Sequence, residues 1–389
     1  MKRYYAKIII TTGLFLFSSI AFAALPLGFE VETVASGFNL PTTISSTPDG
    51  RIFVAEKGGV VRVVRNGVTL PTPLISLSDV NNYGDRGLIG MAVDPNFASN
   101  GYLYLLYSYE STPGANLAGP KNGRLVRVTV VGDTADESTK VVLVGTVSGT
   151  LVAPSCENFN VTEDCIPSDT SSHSVGGLRF GPDGKLYASF GDGAHFDYVD
   201  SRALRSQNLD SLAGKIIRIN TDGTAPSDNP FYNGSSTANR SKVYAYGFRN
   251  SFRFNFHPVT GILYASDVGW GTWEEVNKVL PGSNYGWPCR EGNGATTYAC
   301  TANPRVDPVY TYIHDGNGAG SVTGGAFGTA YPAPYANTMF FGDYAQNWIK
   351  QLNITASGTL VSVTPFMDGA DGADGPVEFI RGLDGNVYF

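Results

Sequence analysis

The sequence predicts an all-β chain folded as a six-bladed propeller. Three observations point there. The first is one strand–turn–strand pattern that returns six times. The second is a composition rich in glycine (47 residues) and aromatics (12%) but with only 16% charged residues, which suits many short strands and tight turns. The third is the lack of any strong helical periodicity.

Thr47–Gly58, TPDGRIFVAEKG, is the first copy. Gly181–Gly193, GPDGKLYASFGDG, repeats it, as do His257–Gly269 and Gly382–Phe389. Asp94–Ser108 and Ala336–Gln346 are looser copies. Each reads as a strand, a Gly- or Asp-containing turn and an apolar-aromatic strand, the core of a propeller blade. Third strands are expected at Val60–Arg65, Arg124–Val130, Lys215–Asn220, Glu274–Val279 and Trp348–Asn353. Outer strands are expected at Thr72–Leu77 and Lys242–Gly247. Phe29–Ala35 is placed as the outer strand of the last blade, so that joining the two chain ends leaves no free edge. The sixth copy stops at Phe389 after its second strand, so either the chain is cut short or the last blade is incomplete, and closure is expected to be weak there. Asn208–Gly214 reads as one short helical turn. Asp368–Gly375, DGADGADG, reads as a flexible loop without the spacing of a calcium-binding helix-loop-helix.

The chain starts with Lys2, Arg3 and Lys7, an apolar run Ile8–Ile20 and Ala21-Phe22-Ala23. That is the form of a secretory signal, with cleavage expected after Ala23 and a mature propeller over residues 24–389. The run is short for a bilayer span. Four cysteines fall as two local pairs, Cys156 with Cys165 and Cys289 with Cys300, which suggests two short-loop disulfides in an exported protein. A net charge of −7 argues against nucleic acid or an anionic membrane as partner.

The candidate chemistry lies at one mouth of the propeller. His173 opens the stretch HSVGGLRFGPDGKLYASFGDG and Asp192 closes it. A hairpin returns its chain to the edge where it began, so the two meet. Arg249-Asn250 precedes the next blade, and Asp267-Val268-Gly269-Trp270 ends that blade's hairpin. His173, Asp192, Arg249 and Asp267 are expected to converge there, with His173 and Arg249 facing a shared pore. A histidine can accept a hydroxyl proton, a carboxylate can orient it, and an arginine can stabilise negative charge on oxygen. Each residue also has an ordinary role available: a hydrogen-bonded core histidine, a turn-capping aspartate, a structural ion-pair arginine. Serine-hydrolase, phosphate-loop, zinc-protease and dinucleotide fingerprints do not occur in usable context.

These motifs carry a resemblance. Besides the central stretch they include DRGLIGMAVDPNF at Asp85–Phe97, SLAGKIIRINTDG at Ser211–Gly223, DNPF at Asp228–Phe231, YGFRN at Tyr246–Asn250, EEVN at Glu274–Asn277 and NYGWP at Asn284–Pro288. The chain resembles the soluble quinoprotein glucose/sorbosone (aldose sugar) dehydrogenases over almost its whole mature length, and more closely the branch that includes hedgehog-interacting-like propellers. The resemblance implies oxidation of a sugar or polyol CH–OH group, with pyrroloquinoline quinone (PQQ) and Ca2+ as cofactors and an external electron acceptor. His173 is then the general base, Asp192 its partner and Arg249 the group that polarises the quinone. Asn250, Asp85, Asp267 and Val268 fall at the cofactor, and the carbonyls of Gly269 and Trp270 at the calcium. Three places depart from the glucose dehydrogenases: Ala345 stands where they carry a cofactor-binding lysine, Gly375–Phe379, GPVEF, lacks their arginines, and GFRNSFR stands for their GHRNPQG. The missing lysine and arginines favour an alternative, a non-catalytic exported propeller that binds glycans or proteins at the channel mouth. A calcium-dependent lactonase using Asp192 and Asp267 is a third reading.

Overall fold

The computed structural model describes residues 4–6, 25–147, 149–298, 300, 304–316 and 318–389. Its architecture is a propeller of five blades, not six. Five antiparallel sheets of four or more strands follow one another along the chain. Their inner strands are Pro41–Ser46, Leu88–Val93, Val175–Phe180, Ser251–Phe256 and Val322–Phe327. The expected sixth blade is only a two-stranded hairpin, Ile380–Arg381 with Val387–Tyr388. The six hairpin copies counted in the sequence are all hairpins, but a blade also needs third and fourth strands, and nothing in the sixth copy supplies them.

The expected third strands are present, at Val60–Arg65, Lys121–Val131, Lys215–Ile219, Trp273–Val279 and Trp348–Ile354. The outer strands are shorter than expected: Ile75–Ser76 and Val243–Tyr246. Asn208–Gly214 forms no helix; a 3-10 helix covers Ser201–Gln207 just before it. Among the described residues, no helix is long and apolar enough to cross a membrane. Of the expected signal, residues 1–3 and 7–23 lie outside the described residues.

Apolar cores lie between successive blades. Phe53, Met91, Leu105 and Val128 fill one between the first and second. Leu106, Leu178, Phe190 and Ile217 fill the next. Glycines let the inner strands approach: a Cβ on Gly90 would lie 2.8 Å from the Gly176 carbonyl, and one on Gly176 would lie 2.6 Å from the Ser251 carbonyl. These contacts explain the paired glycines of HSVGG.

Closure of the ring rests on a charge. The GPVEF segment runs among the inner strands, and Glu378 is 4% exposed. It pairs with Arg179 of the third blade at 2.7 Å and Arg253 of the fourth at 3.3 Å, and accepts from Thr43 of the first at 2.6 Å. The expected outer strand Phe29–Ala35 is a strand only over Phe29–Val31, paired in parallel with Tyr4–Ala6 and not with the last hairpin. Phe29 still contributes to the seam, packing edge-on against Tyr335 and Phe366.

Every inner strand carries a register shift at its start, right after its first paired residue, which in four of the five blades faces the last residue of the second strand. Such bulges re-aim side chains at a rim. The residues two places before Leu88, Val175 and Ser251 are Arg86, His173 and Arg249. Three consecutive blades thus present a basic side chain from the same slot.

Candidate active site

His173 is buried, with a φ of 49° in the left-handed region that non-glycine residues seldom adopt. Main-chain bonds hold it there. Gly193 N donates to its carbonyl at 3.0 Å, and Gly191 N donates to Ser174 O at 2.8 Å. A Cβ on Gly191 would lie 2.3 Å from the His173 carbonyl, so only glycine permits this return of the hairpin.

The hairpin delivers Asp192 to the imidazole. His173 Nδ1 is 3.0 Å from Asp192 Oδ1. Asp192 has no exposed surface. Ala194 N donates to Oδ1 at 2.8 Å, and Trp287 Nε1 donates to Oδ2 at 2.7 Å. Burial opposes ionisation of this carboxyl, but His173, the hydrogen bonds and Arg249 outweigh it and hold its pKa below the ordinary value. An ionised carboxylate only accepts, so Nδ1 carries the proton and Nε2 is left as the acceptor. Among the described residues no group hydrogen-bonds Nε2. Burial, and then the Arg249 charge, push the imidazole pKa down, which favours the neutral, proton-accepting form.

Arg249 sits beside this pair on the neighbouring blade. Its carbonyl accepts from Asp192 N at 2.8 Å. Its guanidinium donates to Val268 O at 3.2 Å, Gly269 O at 2.5 Å and Phe196 O at 3.0 Å, and lies 5.6 Å from the Trp287 ring. Asp267 faces the backbone, accepting from Arg249 N at 3.0 Å and Asn250 N at 2.7 Å. Burial, and then Glu275 directly across the ladder, raise its pKa well above the ordinary value. Asp85 is exposed; its amide donates to Ser171 O at 2.8 Å and its charge reaches His173. The Asn250 carboxamide makes no hydrogen bond among the described residues, and Ser172 Oγ is buried without one.

The structure therefore gathers His173, Asp192, Arg249, Asn250 and Asp85, and assigns Asp267 to the backbone. It adds Trp287, the tryptophan of NYGWP, to the site. Nothing in one sequence says that an indole 95 positions after Asp192 donates to it.

The carbonyl set does not fit calcium as it stands. Calcium takes six to eight oxygens. Gly269 O already accepts from a guanidinium, Trp270 N is turned to Glu291 at 2.8 Å, and no cluster of three or more acidic, His or Cys side chains suited to a metal occurs among the described residues. A quinone carbonyl suits the donors here better: the Asn250 amide and Ser172 Oγ make no hydrogen bond among the described residues, while Nε2, an acceptor, is left for a hydroxyl. Ala345 is exposed, and GPVEF is spent on the channel.

The family model described as glucose / sorbosone dehydrogenase matches residues 38–388. The chain belongs to this family. It is 28% identical to quinoprotein glucose dehydrogenase B of Acinetobacter calcoaceticus over 313 residues, 74% of this chain and 60% of that one. It is 29% identical to the HIPL1 protein of Arabidopsis thaliana over 72% of this chain and 46% of that one. The chain thus spans less than two thirds of the length of either. Among solved structures, the PQQ-bound aldose sugar dehydrogenase of Streptomyces coelicolor superposes with a TM-score of 0.65 at 25% identity, covering 87% of this chain and 84% of that one.

Proposed function

We propose that the protein is an exported sugar or polyol dehydrogenase that passes hydride to a bound quinone. The observation that supports this most directly is the His173–Asp192–Trp287 arrangement, with Nε2 unpartnered beside Arg249. Nε2 takes the proton of the substrate hydroxyl. Asp192 fixes the tautomer and stabilises the imidazolium that forms; Trp287 and Ala194 N fix Asp192. Arg249 stabilises negative charge that develops on the acceptor oxygen. Asn250 and Asp85 orient ligand groups at the rim. When bound, PQQ supplies the hydride acceptor. The two disulfides, Cys156–Cys165 and Cys289–Cys300, together with the basic-apolar start of the chain, support export.

The test is reconstitution with PQQ, with and without calcium, followed by dye reduction on a panel of aldoses and polyols. Activity that His173→Ala abolishes in a folded protein supports the reading. Activity untouched by that change removes His173 from it.

A second reading, a binding module without catalysis, draws on one observation: the Arg249 guanidinium already serves three carbonyls. Glycan binding in the absence of any quinone binding would select it.

A further inference from the structure

The site has a support that leads to a disulfide. The 3-10 helix Ser201–Gln207 runs behind Asp192. From it, Arg205 Nη2 donates to the main-chain carbonyl of Asp192 at 3.0 Å, and Gln207 Nε2 donates to the carbonyl of Trp287 at 2.6 Å. One short element therefore holds the main chain of both Asp192 and Trp287, the residue whose indole donates to Asp192. Arg205 is held in turn by Asp169, whose side chain has no exposed surface, with Nη2 2.6 Å from Oδ2. The other oxygen, Oδ1, accepts from Ser155 Oγ and, at 3.0 Å, from Cys156 N. Cys156 is bonded to Cys165. A Cβ on Gly193 would lie 2.8 Å from Arg205 Nη2 and 3.0 Å from Asp169 Oδ2, so the ion pair is packed directly on the turn that follows Asp192.

We infer that Arg205, set by Asp169 and the Cys156–Cys165 loop, is a positioning residue for the His173–Asp192 pair. Its role in turnover rests on the dehydrogenase reading above; its role in geometry does not. Arg205 touches neither His173 nor the Asp192 carboxylate. It acts by fixing the Asp192 main chain, and a small error there moves Oδ1 away from Nδ1. Misplacement by about 1 Å at a reacting centre costs on the order of 100-fold in rate.

The test reads the imidazole itself. The Nδ1 proton shared with Asp192 gives a downfield proton resonance, assigned by its loss in His173→Gln. In Arg205→Gln this resonance is expected to broaden or vanish. kcat for sugar oxidation should fall about 10- to 100-fold with KM within about twofold, and Arg205→Lys should restore part of both. Asp169→Asn, which keeps its volume and loosens Arg205, should reproduce the effect if Arg205→Gln folds poorly. An unchanged resonance in either folded variant overturns the inference. A resonance lost in the variant, in a protein that oxidises no sugar at all, keeps the inference and removes the dehydrogenase reading.

Discussion

The third and fourth blades share the tetrapeptide Leu-Tyr-Ala-Ser in their second strands, at 186–189 and 263–266, and then part. In the fourth blade the next residue is Asp267; in the third it is Phe190, and the aspartate comes two places later. The ladder shows what those two places do. Glu56, Asp267 and Asp343 each end a second strand and pair with the first residue of the inner strand. All three accept main-chain amides from the incoming inner strand: Asn39 N, Arg249 N with Asn250 N, and Ser321 N. They pin backbone. The third blade fills that slot with Phe190, packed into the core, and carries its carboxylate one pleat beyond the strand, where it meets an imidazole. One repeat unit thus yields an acid that pins backbone or one that meets an imidazole, by a shift of two residues.

The sharpest way to break this comparison is exchange of each acid for its amide. Asp192→Asn removes the ionised partner and lets the wrong tautomer of His173 form. Activity with quinone and sugar is expected to fall by about 10³- to 10⁴-fold, as when a carboxylate orienting a catalytic histidine is neutralised. Asp267→Asn changes a group that burial already drives toward its neutral form, so activity should stay within about tenfold. Equal losses in the two variants, measured as initial rates of dye reduction, would erase the distinction.

Glu378→Ala separates chemistry from architecture. It strips Arg179 and Arg253 of their buried partner at the seam of the ring. Breaking a buried pair from one side costs about 3–5 kcal/mol. Urea unfolding should register that loss, while the His173 resonance of the remaining folded protein stays in place.

Much of this was legible in the sequence and some was not. The hairpins, the third strands, both disulfides and the meeting of His173 with Asp192 follow from local patterns. The blade count fails at the last copy, which matches the hairpin repeat and is counted as a blade although it stops after its second strand; Ile380–Arg381 and Val387–Tyr388 remain a pair. The 3-10 helix Ser201–Gln207 was invisible because its residues are fixed by long-range partners such as Asp192 and Trp287, not by helical periodicity. Asp267 read like Asp192 because both close LYAS-type strands, and only the register tells them apart.

The two blades should also answer pH in opposite directions. In the third, the folded pKa values of Asp192 and His173 are depressed. Their contribution is present above the unfolded values and is lost as pH falls, below about 6.5 for His173 and below about 4 for Asp192. In the fourth, burial raises Glu275 to about 7, and Asp267 moves the same way. Their contribution is complete below the unfolded carboxyl values and is lost as pH rises through about 7. Glu275→Gln should flatten the decline on that side. The new amide can still accept from Gly292 N, and its NH2 can donate to Asn277 once that carboxamide turns over to put Oδ1 where Nδ2 now donates to Glu275. An unchanged slope in urea midpoints from pH 5 to 8 would mean that Glu275 does not carry the alkaline limb.

The smallest effect concerns calcium. Gly269 O, the ligand that family resemblance implies, is held by Arg249. A divalent cation there must displace a guanidinium from two carbonyls and then sit beside that positive charge, which is unfavourable at any dielectric. Without quinone, exchanging excess calcium for EDTA should move the melting temperature by less than about 1 °C, since a ligand stabilises only in proportion to its binding of the folded state. In Arg249→Gln the carbonyls lose that cationic competitor, and any calcium-dependent shift should be larger than in the native chain. A large shift in the native protein that Arg249→Gln abolishes would reverse this reading and return Gly269 O to the calcium set.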